Sequence, residues 1–102
     1  MALDLIPARH ERDIHAAQRR FAIDQALHAQ LQARAQPPDD YPLLRALRYH
    51  DDTAFPLAEL RALHAELLRV ETRFTEPSQV RELLCFVERT IADGDNLYAT
   101  AD

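Results

Sequence analysis

Residues 8–36 read ARHERDIHAAQRRFAIDQALHAQLQARAQ, and the reading of this stretch decides the fold. It contains neither glycine nor proline; Pro7 lies just ahead of it and Pro37-Pro38 just behind. Alanine, glutamine, arginine and leucine are good helix formers. Pro7 is tolerated in a first helical turn, and Pro37 disfavours a helical residue before it. The stretch therefore predicts one long helix. At about 100° per residue, Ile14, Ala17 and Phe21 share one direction. Ile23, Leu27 and Leu31 share another, more than a quarter-turn away. A helix with two apolar faces kinks, touches two neighbours, or offers its second face to a partner.

Downstream, Pro37-Pro38-Asp39-Asp40 reads as a polar connector and residues 42–48 as a short helix with Leu43, Leu44 and Leu47 inward. Tyr49 to Phe55 reads as an irregular loop. From Pro56 to Phe74, Leu60, Leu63, Leu67, Val70 and Phe74 recur at alternating spacings of three and four, the seam of antiparallel helix packing. Leu57 and Leu68 widen that apolar arc, which suggests contact with two other helices. Thr75-Glu76-Pro77 breaks the pattern. A last helix over residues 77–93 then carries Val80, Leu83, Leu84, Val87 and Ile91 inward. Gly94 is placed to close it in the left-handed conformation. The tail from Asp95 reads as an extended end docked by Leu97 and Tyr98.

Composition supports a helical reading. Gly94 is the single glycine among 102 residues, whereas tight sheet turns and phosphate-binding loops draw on several. The predicted fold is all-α, one domain over residues 1–102. It is a compact bundle of three main helices (about 8–36, 56–74 and 77–93) plus a short helix near 42–48.

The charge balance narrows the partners. All 12 basic residues are arginine and the formal net charge is −5. Arginine-only usage is what a GC-rich, bacterial-type coding bias produces; the alternative is a surface built for bidentate contacts. The arginines alternate with acids, so no basic face forms for nucleic acid or an anionic membrane. A basic protein partner suits this charge. Cys85 is the lone cysteine, and residues 1–13 show no apolar run with a cleavage site. The chain reads as cytoplasmic.

Catalytic and metal motifs are sparse. Glu11 with His15 and Asp24 with His28 have i, i+4 spacing, which supplies two metal ligands or an ordinary surface pair. The Glu-x-x-His motifs of carboxylate-bundle metal sites are missing, so neither a metal nor a cofactor is expected. His64 and Glu71 fall inside the broad apolar arc of the central helix. They read as a polar notch for a ligand, or as a satisfied pair where two packing faces meet. Tyr49, His50, Asp51 and Asp52 concentrate aromatic, imidazole and acidic groups on a loop, where binding residues often sit. Their structural alternative is a loop that caps the next helix and seals the core with Tyr49 and Phe55. Cys85 has no histidine beside it to activate the thiol.

The Tyr49-x-x-Asp52-Thr53-x-Phe55 segment, the leucine-rich hairpin after it, and a tail with Leu97-Tyr98 ending at Asp102 resemble a group of small uncharacterised bacterial helical proteins. The resemblance covers residues 41–102 and implies no activity. The functional expectation is a non-enzymatic protein-binding module, in the manner of an immunity-type inhibitor or a small adaptor or regulator. Its expected contact residues are Tyr49, His50, Asp51 and Asp52 with Ile23, Leu27 and Leu31. Two alternatives stand beside it. One is a self-associating structural protein, a homodimer through the second face of the first helix. The other is a small-ligand binder or enzyme using His64 and Glu71 or the His50–Asp52 loop.

Overall fold

The computed structural model describes residues 2–101, and it is not all-α. A four-stranded antiparallel sheet of order β2-β1-β4-β3 forms one layer: β1 Leu3–Ala8, β2 Phe21–Ile23, β3 Thr53–Phe55 and β4 Asn96–Ala101. Four helices accompany it: α1 Gln25–Arg34, α2 Pro42–Ala46, α3 Leu57–Glu71 and α4 Ser78–Ala92. The predicted helical bundle is thus corrected to an α+β arrangement. The three C-terminal helices lie within the ranges that periodicity gives; the long first helix does not exist.

Segment 8–36 divides into four pieces. Ala8 ends β1, Glu11–Ala16 is a 3-10 turn, Phe21–Ile23 is an edge strand, and α1 occupies only Gln25–Arg34. Asp24 marks the restart, its side-chain Oδ1 accepting the Leu27 N–H at 2.8 Å as an N-cap. The residues of the two apolar directions are spread over the 3-10 turn, β2 and α1, with Phe21 and Ile23 sharing β2, and were never two faces of one helix. Ile23, Leu27 and Leu31 are all buried in the core. No second face of a first helix remains for a partner or for self-pairing.

The core lies between the sheet and the helices. β1 pairs with β4 through six residues, Leu3 opposite Ala101 to Ala8 opposite Asn96. Register then sets Leu3, Leu5, Leu97, Ala99, Phe55 and Ile23 on one face, all buried in the shared core. Leu60, Leu63, Leu67 and Val70 of α3 and Val80, Leu83, Leu84 and Val87 of α4 meet them there. On the sheet's other face the 3-10 turn packs beside β1, where Ile6 and Ala8 are buried. The tail expected to be a docked extended end is the central strand β4; Asp102, the last residue of the resemblance, lies outside the described residues.

Gly94 closes α4 as expected, at φ +73°. Its N–H donates to the Ile91 carbonyl at 3.0 Å and the Asp95 N–H to Thr90 at 3.1 Å, satisfying carbonyls the helix end leaves open. Asn96 then joins three elements. Its Oδ1 accepts the Leu57 N–H at the start of α3, and its Nδ2 donates to the Arg9 carbonyl, both at 2.9 Å.

Among the described residues one carboxylate is buried. Glu66, 4% exposed on α3, accepts the N–H groups of Leu43 at 3.1 Å and Leu44 at 2.9 Å. It caps the five-residue helix α2 from across the core, supplying acceptors that Pro42 and Tyr41 do not. Replacing Glu66 with alanine strands two amide donors against an apolar wall. The expected loss is about 3 kcal/mol of stability, read as a lower urea midpoint at unchanged slope.

Candidate functional site

The loop between α2 and β3 is held at both ends while its middle faces outward. Thr53 Oγ1 donates to the Ala46 carbonyl at 3.2 Å, and Asp52 Oδ1 accepts the Ala101 N–H at 2.8 Å. Asp52 thus extends the β4 ladder where the short strand β3 gives out. Tyr49 is half-buried and packs on the core, its ring 5.4 Å from His28 and 5.1 Å from His50. Phe55 is fully inside. His50, Asp51 and Asp52 are exposed, and Asp51 stands 3.7 Å from Arg48 in a surface ion pair.

His28 on α1 orders this region from beneath. Its Nε2 lies 2.8 Å from the Leu47 carbonyl, and Gln32 Nε2 donates to the Leu44 carbonyl at 2.7 Å and to Leu47 at 3.3 Å. The carbonyls that end α2 are thereby satisfied by side chains of α1. A carbonyl only accepts, so Nε2 of His28 carries the proton. Asp24 and His28 therefore serve separate structural partners and do not act as a ligand pair.

Beside this loop opens a depression of about 750 Å³, lined by Asp24, Gln25, Ala26, Ala29, Tyr49 and His50. The floor is the first exposed turns of α1, and the wall is the aromatic pair of the loop. It is a shallow, open surface, the geometry of a contact patch and not of an enclosing pocket. Asp24 is the acidic residue of its lining; Asp51 follows His50 in the loop, and Asp52 lines a different depression with Glu11 and Thr100.

The expected polar notch is resolved into two separate pairs. His64 Nε2 donates to Glu88 Oε1 of α4 at 3.0 Å, and Arg81 Nε of α4 donates to Glu71 Oε2 at 3.1 Å. His64 and Glu71 each stitch α3 to α4 and are not bonded to each other in any recorded contact. A second open depression, about 360 Å³, lies over the first pair and is lined by Arg61, His64, Glu88 and Ile91. Cys85 is exposed and free. Glu11 and His15 sit on the 3-10 turn, where i, i+4 helical spacing does not apply. Among the described residues no group of three or more histidine, cysteine or carboxylate side chains is placed to hold a metal ion.

Sequence reasoning missed Glu66 and His28 as organisers. Glu66 follows Leu63 and precedes Leu67 on the seam, a charge among buried neighbours, and that position was the available signal. His28 had none, because its acceptor lies nineteen residues away.

Comparison with known proteins finds no matching family model, no matching curated protein and no matching solved structure. Among the described residues no helix is long and apolar enough to cross a membrane. In nitrogen-detected NMR of the neutral imidazoles, His28 is expected as the Nε2–H tautomer; an Nδ1–H form would rule out its bond to the Leu47 carbonyl.

Proposed function

We propose that this chain is a protein-binding module that takes a basic partner at the depression beside the Tyr49–Asp52 loop. The roles it fits are an immunity-type inhibitor of another protein or a small adaptor or regulator. One observation carries the reading: a loop of exposed His50, Asp51 and Asp52 is fastened by Thr53, Asp52 and Tyr49, so its shape exists before any partner arrives. A contact surface that is already ordered loses less entropy on binding.

The partner's sign follows from the charge. The chain carries −5 overall, and the depression sets the Asp24 carboxylate beside the Tyr49 ring, with exposed Asp51 next in the loop after His50. A cationic side chain is attracted to both. The proposed location is the cytoplasm, supported by the free thiol of Cys85.

The test is affinity capture with the tagged full chain, followed by titration of the recovered protein against two forms. Wild type should bind stoichiometrically. A His50→Ala, Asp51→Arg double variant should bind at least about tenfold more weakly, with its thermal midpoint unchanged. Equal binding by the variant would remove this surface from the interface, and an acidic partner would overturn the charge reading.

A further inference from the structure

We propose that the outer stripe of α3 is a self-complementary surface on which a second copy of this chain docks, helix against helix and antiparallel. Leu57 and Leu68 are the exposed large hydrophobic residues of the described surface, at 37% and 46%. Both lie on α3, about three turns apart and within about 20° of one direction, so they form two ends of one stripe roughly 16 Å long. Arg61 and His64 occupy the positions between them on the same arc. The sequence expectation that Leu57 and Leu68 reach two neighbouring helices of the same chain is not met; their faces are open.

The pattern matches itself under a two-fold axis. An axis crossing α3 midway between Leu57 and Leu68 carries Leu57 to the height of Leu68 in the other copy, twice. The same axis carries Arg61 to the height of His64. His64 is bonded to Glu88 at the floor of the 360 Å³ depression that Arg61 and Ile91 also line. Arg61 of each copy therefore meets the Glu88 carboxylate of the other, with opposite charge, while leucine meets leucine at both ends. A parallel pairing would keep leucine against leucine but set Arg61 against Arg61, losing the charge match. Ala58 and Ala65 flank the stripe and are exposed; such short side chains let two helix axes approach to about 8 Å. An isologous contact of this kind closes at two copies.

The sheet edges do not compete for this role. β2 and β3 are three residues each. Arg19-Arg20 and Asp24 flank one; Asp51-Asp52 and Pro56 flank the other. Short, charged, proline-bounded edges resist strand pairing between copies. One pair of fifteen-residue helices, with the adjoining row of α4, covers less than the roughly 800 Å² per partner of a standard interface. The dimer is accordingly concentration-dependent.

Sedimentation velocity of the full chain over a concentration series tests this. Wild type should pass from monomer to dimer. Leu68→Glu should remain monomeric, with its urea midpoint unchanged because the residue is open to solvent. Arg61→Glu should weaken association by about tenfold or more, and adding Glu88→Arg should restore it. In a Cys85→Ser background, Leu57→Cys with Leu68→Cys should cross-link two copies on oxidation, while either cysteine alone should not. A monomer at every concentration, a dimer that survives Leu68→Glu, or equal cross-linking by a single cysteine would each overturn the proposal.

Discussion

The pairing of β1 with β4 is the constraint on which the rest of the structure depends. It joins residues 3–8 to residues 96–101, so nearly the whole described chain is a loop closed by one strand pair. Closing a loop of that length costs about 4 kcal/mol of chain entropy beyond a constant. The return comes from both faces. Leu3, Leu5, Leu97 and Ala99 complete the core under the helices, and Ile6 and Ala8 are covered on the other side. The edge strands are appended to this pair: β2 meets only Leu3–Leu5, and β3 meets only Leu97–Ala99. Without the central pair neither three-residue strand has a template, and α3 loses the Asn96 acceptor at its first amide.

A second set of bonds fixes the corner where α1, α2 and α3 converge, and it explains part of the arginine usage. Arg73 Nη1 donates to the carbonyls of Arg34 and Gln36 at 2.7 and 2.6 Å; Arg34 Nε returns a bond to Arg73 at 3.2 Å. Arg45 Nη2 donates to Ala35 and Arg69 Nη2 to Asp40, at 3.0 and 2.7 Å. The guanidinium groups of Arg34 and Arg69 lie 4.6 Å from the rings of Phe74 and Tyr41. Arg34, Arg69 and Arg73 thus close carbonyls near a helix end or connector while their guanidinium groups lie over an aromatic ring. Lysine, a point charge without a planar fork, does one of these at a time. At this corner the structure uses arginine for its shape.

What the sequence showed was the part whose periodicity is local. The spacing of Leu60, Leu63, Leu67 and Val70, the break at Pro77 and the left-handed closure at Gly94 depend on neighbours within a few residues. The sheet was hidden for a physical reason. Its strands are joined by a 3-10 excursion, by helices, or through the long loop closure, and never by a two-residue turn. A sheet without tight hairpins makes no demand for glycine, so one glycine excludes nothing. The alanines of segment 8–36 then favoured helix on propensity alone, which tertiary pairing overrides. The disagreement between the Ile14–Phe21 and Ile23–Leu31 directions was the visible sign of a boundary. Of the contact residues expected from sequence, the loop residues Tyr49 to Asp52 do border an open surface, and the three aliphatic ones are core.

The two outward surfaces are separated by the body of α3 itself. On that helix Glu66 points to α2, whose C-terminal end leads into the Tyr49–Asp52 loop, while the Leu57–Leu68 stripe lies on nearly the opposite side, about 170° around the axis. Association through the stripe therefore leaves the loop and its depression uncovered, and a two-fold axis presents that depression twice. On the proposed dimer, two copies of the proposed site would act together on a partner that repeats its basic segment, because the second contact would form at the effective concentration set by the first. Such an arrangement would give a small acidic chain with a shallow patch what its limited area withholds.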